Sequence, residues 1–137
     1  MSRAIAMLIL MSLGGPSIAH DEKAAATLTL TEGDAAAGVG FAWHKATLSY
    51  MGKTYRVDVQ GLGVREVGVR RADAVGAVYR LKTVEQLNGS YAAEVPGGTD
   101  GVIAIKNTGG VVIEMRSMTP GASLKATSQS VRLRVAR

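Results

Sequence analysis

Apolar and polar residues alternate with a period of two in short runs along most of the chain, and each run stops at a cluster of Gly, Asn or Asp. This is the pattern of half-buried β-strands joined by tight turns. The first run is Thr27-Leu28-Thr29-Leu30-Thr31, which ends at Glu32-Gly33-Asp34. Ala46, Leu48 and Tyr50 alternate with Lys45, Thr47 and Ser49, and a turn at Met51-Gly52 returns the chain through Tyr55, Val57 and Val59. The opposite face carries Thr54, Arg56, Asp58 and Gln60, so one side of this hairpin is apolar and the other wet. Further strands are predicted over 64–70, 75–82, 91–95, 102–106, 111–118 and 131–135. Arg71-Ala72-Asp73, Pro96-Gly97-Gly98, Asn107-Thr108-Gly109-Gly110 and Pro120-Gly121 separate them. Thr83-Val84-Glu85-Gln86 reads as a capping box and Asn88-Gly89 as a left-handed stop, which predicts a helix of one or two turns plugging an end.

About eight short strands and one short helix cannot make two large layers. The predicted fold class is therefore all-β, a small antiparallel β-barrel or compact sandwich of about eight strands, closure being the economical way to remove exposed strand edges. Seventeen Gly against three Pro suit many tight turns. No Cys is present, so the core must be held by packing and strand pairing, and thiol catalysis, disulfides and Cys-ligated metals are excluded.

The N-terminus departs from this pattern. Arg3 precedes an apolar run from Ala4 to Leu13, Gly14-Gly15-Pro16 breaks any helix, and Ser17 and Ala19 place small side chains at −3 and −1 of a cut before His20. That arrangement predicts a signal peptide over 1–19 and a single β domain over 20–137. The apolar run is far short of the roughly 20 residues that span a bilayer, and no later run in the mature chain is a transmembrane helix candidate. The chain is thus expected to be exported, periplasmic or secreted. Loss of Arg3 lowers the formal charge of +5 by one and leaves the chain basic. For an exported protein this argues against nucleic acid and toward an anionic lipid or envelope polymer, with another envelope protein as a further partner class.

The run of features Gly38-Val39-Gly40-Phe41, Ala46 to Tyr50, Gly61-Leu62-Gly63, Gly76 to Leu81, Val84 to Tyr91, Gly110 to Ile113 and Pro120 to Leu124 resembles a family of small exported envelope proteins. Its layout is similar to the EipA-type envelope integrity proteins of proteobacteria and, more distantly, to the SYLF lipid-binding family. The first resemblance implies a β-barrel with a role in envelope stability, and the second implies phospholipid contact. Neither carries a ligand residue onto a position here.

Candidate chemistry is sparse. His44 and His20 are the two histidines, and neither has a second His or a Cys with which to share a metal except the other. His44, beside Trp43, reads as a surface or edge residue, and His20-Asp21-Glu22 as an accident of the cleavage position. Asp58, Glu66, Asp73, Glu85, Glu94, Asp100 and Glu114 fall in turns or on polar strand faces, which suits cross-strand charge pairs rather than acid–base work. No nucleophile, base and electrostatic stabiliser assemble, so a non-catalytic protein without a cofactor is expected. Asn88-Gly89-Ser90 reads as turn chemistry rather than a glycosylation site. The one suggestive cluster is basic: Arg65, Arg70, Arg71, Arg80 and Lys82. If 64–70 and 75–82 pair as a hairpin, they form a patch for an anionic lipid or glycan, or else a solvated outer face. The alternative function is a protein–protein interaction module or secreted surface antigen that uses an exposed strand edge.

Overall fold

The alternation at 46–59 folds as the pattern requires. In the computed structural model, which describes residues 23–35, 41–66, 68–95, 102–126 and 130–136, β2 (Phe41–Tyr50) and β3 (Lys53–Gln60) form an antiparallel hairpin. Its register sets Leu48 opposite Tyr55 and Ala46 opposite Val57, so the apolar positions share the buried face. β1 (Ala26–Ala35) lies against the other edge of β2, with Leu28 opposite Leu48. At the bulged end of that pair, a Cβ on Gly33 would overlap the Ala42 carbonyl. The predicted leader over 1–19, the His20-Asp21-Glu22 cluster, the turn at Pro96-Gly97-Gly98, the Glu94 side chain and Asp100 lie outside the described residues.

Seven more strands follow: β4 (Leu62–Val64), β5 (Ala74–Tyr79), β6 (Gly89–Val95), β7 (Val102–Asn107), β8 (Val112–Ser117), β9 (Leu124–Ala126) and β10 (Val131–Ala136). β3 and β4 are two halves of one course broken at Gly61, whose φ of 87° only glycine adopts freely, and both halves pair with β2. β9 and β10 match them, pairing with β4 and β3 respectively. The ring then runs through β6, β7, β8 and β5 and returns to β1, giving an all-antiparallel barrel of eight strand positions. Leu28, Leu30, Trp43, Ile105, Ile113 and Leu124 are among the residues filling its interior, each at most 2% exposed.

The two barrel ends are closed differently. At one, here the helix end, the chain leaves β5, makes a single 3-10 turn (Val84–Leu87) across the opening and enters β6. The predicted capping box is present in part of its expected form: the Gln86 side chain reaches back to accept from the Lys82 and Thr83 amides at 2.7 and 3.2 Å. Asn88 is extended rather than left-handed, and its side chain accepts from the Val135 amide at 2.6 Å. Buried Asn107 donates to the Gln86 carbonyl and accepts from the Gly109 and Val111 amides. The Tyr91 phenol donates to the Leu87 carbonyl at 2.6 Å, and its burial raises its pKa well above the ordinary value.

The far end corrects the prediction of a strand over 64–70. Among the described residues only 62–64 is strand there, and residues 65–66 and 68–73 lie across the opening between β4 and β5, which sits beside β1. Gly68 takes a φ of 96°, Ala72 is buried, and the Trp43 indole N–H donates to the Ala72 carbonyl at 3.0 Å. These long-range contacts override the local β-alternation. The predicted strand over 75–82 is likewise shortened, ending at Tyr79 because Arg80 turns left-handed and Leu81 dives into the core. β9 was absent from the prediction: three residues between turns are too short to show alternation.

Candidate functional site

The predicted basic patch is divided between the two ends. β4 pairs with β2 and β9, and β5 pairs with β1 and β8, so the expected hairpin between 64–70 and 75–82 does not form. Arg65, Arg70 and Arg71 lie on the segment closing the far end, whereas Arg80 and Lys82 follow β5 at the helix end. The six residues of β5 rise about 3.3 Å each and so hold the two groups about 20 Å apart.

At the far end the charges are mixed. Arg65, Arg70 and Arg71 are exposed, but Glu66 and Asp73 sit on the same segment. Glu66 accepts from the Ser123 amide at 2.7 Å, and that hydrogen bond holds its carboxyl below the usual range. The Met118 amide donates to the Asp73 carbonyl at 2.8 Å, which places the exposed Met118 beside an acidic residue.

The helix end is organised around two backbone outliers. Met51 and Arg80 have φ of 49° and 66°, and they are the non-glycine residues with positive φ among the described residues. Met51-Gly52, with Gly52 at 79°, is a two-residue hairpin turn with both residues left-handed, where Asn or Gly normally leads. The Met51 side chain is 81% exposed, so no packing contact explains its presence. The Tyr50 hydroxyl donates to the Leu81 carbonyl at 3.3 Å, which ties the base of this hairpin tip to the residue between Arg80 and Lys82. Lys53 is opposite Tyr50 in the register. One rim thus carries an exposed apolar tip with Lys53, Arg80 and Lys82 around it, and Glu85 on the 3-10 turn. Lys53 and Met51 lay outside the sequence-predicted patch, although the positive-φ demand of a two-residue turn was legible in the hairpin spacing.

The remaining polar groups serve the outer wall. His44 bonds Asp34 at 3.0 Å with side chains 51% and 82% exposed, so nothing shields the pair from water. Lys45 donates to Asp58 at 2.6 Å across β2 and β3, and that bond lowers the Asp58 pKa. Arg56 reaches Glu32 at 3.3 Å. Among the described residues no three His, Cys, Asp or Glu side chains are placed to hold a metal ion, and no helix is long and apolar enough to cross a membrane.

No protein-family profile matches the chain, and no curated protein matches it in sequence. Among solved structures the chain is similar to a β-barrel-like, uncharacterized protein from Brucella abortus. The two share 20% identity with a TM-score of 0.57, over 80% of this chain and 72% of that one. At that identity the likeness is one of fold.

Proposed function

We propose that the chain is an exported, non-catalytic envelope protein whose barrel contacts an anionic lipid surface with its helix end. The observation that carries this reading is the placement of both left-handed non-glycine residues at that rim with exposed side chains. An L-residue in that conformation costs about 1–2 kcal/mol that glycine avoids. Strain kept at exposed positions points to use of the side chains. Met51 supplies a flexible apolar tip for the headgroup boundary, and Lys53, Arg80 and Lys82 supply cations at phosphate height, each contributing about 1 kcal/mol near an anionic leaflet. A filled interior closed at both ends leaves the outer surface to do the binding. The predicted leader over 1–19 and the resemblance to EipA-type envelope integrity proteins support an envelope setting, and the resemblance to the SYLF family supports phospholipid contact.

The test is co-sedimentation of residues 20–137 with vesicles containing phosphatidylglycerol. Binding is expected to weaken steeply between 0.1 and about 1 M salt as the Debye length falls from about 10 to 3 Å. The double variant Met51→Asn/Arg80→Gly is expected to bind about tenfold more weakly, yet to gain about 1–2 kcal/mol of stability in urea unfolding. Absent binding, binding indifferent to salt, or a variant that binds as well as the parent would overturn the proposal. A second reading, a protein-interaction module, has one feature in its favour. β9 pairs only with β4 among the described residues, and β6 leaves β10 after Tyr91, so backbone along 92–95 and 124–126 has a strand neighbour on one side. That reading predicts one stoichiometric protein partner from envelope extracts and no vesicle binding.

A further inference from the structure

The outer wall carries a groove of about 370 Å³ where β3, β10 and the start of β6 meet, within the size range of small-ligand sites. Its origin is topological. β6 pairs with β10 over three positions only, Gly89 to Tyr91, because the chain before Gly89 turns under the barrel as the 3-10 helix. Beyond that point the Val135 amide is met by the Asn88 side chain rather than by a strand, and the wall opens. Arg132 and Arg134 stand on the outward face of β10 over this opening. The register sets Arg132 between Gln60 and Ser90, and Arg134 opposite Asp58.

The charge in the groove is unbalanced. The Asp58 carboxylate is already engaged by Lys45 at 2.6 Å. Among the described residues neither Arg132 nor Arg134 forms an ion pair within 4.0 Å. Two guanidinium forks therefore face a recess that also holds the Asp58 carboxylate, whose charge Lys45 chiefly and Arg134 to a lesser degree offset, and whose remaining polar groups, Gln60, Asn88 and Ser90, are neutral and both donate and accept. Guanidinium groups match planar or tetrahedral oxyanions, and neutral amides and hydroxyls match vicinal hydroxyls. A Cβ on Gly89 would meet no atom within 4 Å, so the backbone there is open to close approach.

We infer that this groove binds an anionic saccharide, the phosphate or carboxylate seated on Arg132 and Arg134 and the sugar hydroxyls on Gln60, Asn88 and Ser90. It is a site separate from the helix end and independent of the lipid contact proposed there. The test is an amide-shift titration of residues 20–137 by nuclear magnetic resonance, with glucose 6-phosphate, inorganic phosphate, glucose and phosphatidylglycerol vesicles in parallel. Glucose 6-phosphate is expected to give saturable shifts at Gln60, Ser90 and Arg132 to Arg134, with inorganic phosphate weaker at the same amides and glucose without effect. Arg132→Gln/Arg134→Gln is expected to weaken the sugar phosphate at least about tenfold. Both sites point outward, so the variant should keep its unfolding midpoint. Gln60→Glu, which adds a like charge, should abolish the shifts, and Met51→Asn/Arg80→Gly should leave them unchanged. No shift in the groove, or shifts indifferent to the double variant, would overturn the inference. Inorganic phosphate binding as tightly as the sugar phosphate would remove the saccharide. Vesicles that broaden these same amides would transfer the groove to the lipid-contacting surface and overturn its separate assignment.

Discussion

Replacing Trp43 by alanine is expected to lower the free energy of unfolding by about 3–5 kcal/mol, the range for deleting a large buried aromatic side chain. Small domains have about 5–15 kcal/mol in all, so this single change consumes much of it. Trp43 is 2% exposed, stacks edge-on against Phe41 at 5.7 Å between ring centroids, and donates its indole N–H to the Ala72 carbonyl. That hydrogen bond fastens the segment closing the far end to the wall beneath it. Trp43→Phe keeps most of the apolar contact but leaves the Ala72 carbonyl without its donor, and should cost about 1–3 kcal/mol. Urea unfolding followed by circular dichroism reads both. If phenylalanine costs as much as alanine, the indole N–H has no separate part in closing the end.

At the opposite end the expected effect is of similar size and has a different cause. Asn107→Leu keeps the branched side-chain shape but strips three hydrogen bonds at once, from the Gly109 and Val111 amides and to the Gln86 carbonyl. The Val111 amide belongs to a residue 1% exposed, so its lost acceptor carries the full desolvation cost, and the two partly exposed partners add less. A loss of about 3 kcal/mol is expected. Gln86→Ala removes the exposed acceptor for the Lys82 and Thr83 amides and should cost only about 1 kcal/mol. Hydrogen exchange separates the two, because Asn107→Leu should speed exchange at Asn88 and Val135 as the 3-10 plug loosens. Equal losses from the two variants would mean that Asn107 does not fasten the plug.

The hairpin of β2 and β3 was legible down to its turn, because six consecutive positions over 45–50 and seven over 54–60 alternate without interruption and the two-residue link admits few geometries. The all-β class, with a barrel or a compact sandwich as its architecture, followed from the number and brevity of such runs, and the strand pairing makes it a barrel. The segment 64–70 misled for the same reason that β2 succeeded. Val64, Val69 and their neighbours have strand chemistry, and what bends them across the opening is a Trp43–Ala72 bond spanning 29 residues. The basic cluster forms no single patch because closeness in sequence is not closeness in space, and β5 lies between its two halves. Lys53 and Met51 became part of the candidate rim through the Tyr50–Leu81 bond, again a contact between distant residues. Asn107 read correctly as a turn residue, since its Oδ1 bonds Gly109 and Val111, but its hold on the plug depends on Gln86, 21 positions upstream.

The orientation of the barrel on a membrane is the most direct check on the proposed function. Residues 20–137 bound to phosphatidylglycerol vesicles doped with a headgroup spin label should show strongest amide broadening at Met51 to Lys53 and Arg80 to Lys82. Amides at Arg70 to Asp73 and Met118 to Thr119, on the far end, should be spared. Broadening centred on the far end or spread evenly over the wall, or none at any residue, would contradict a lipid contact made by the helix end.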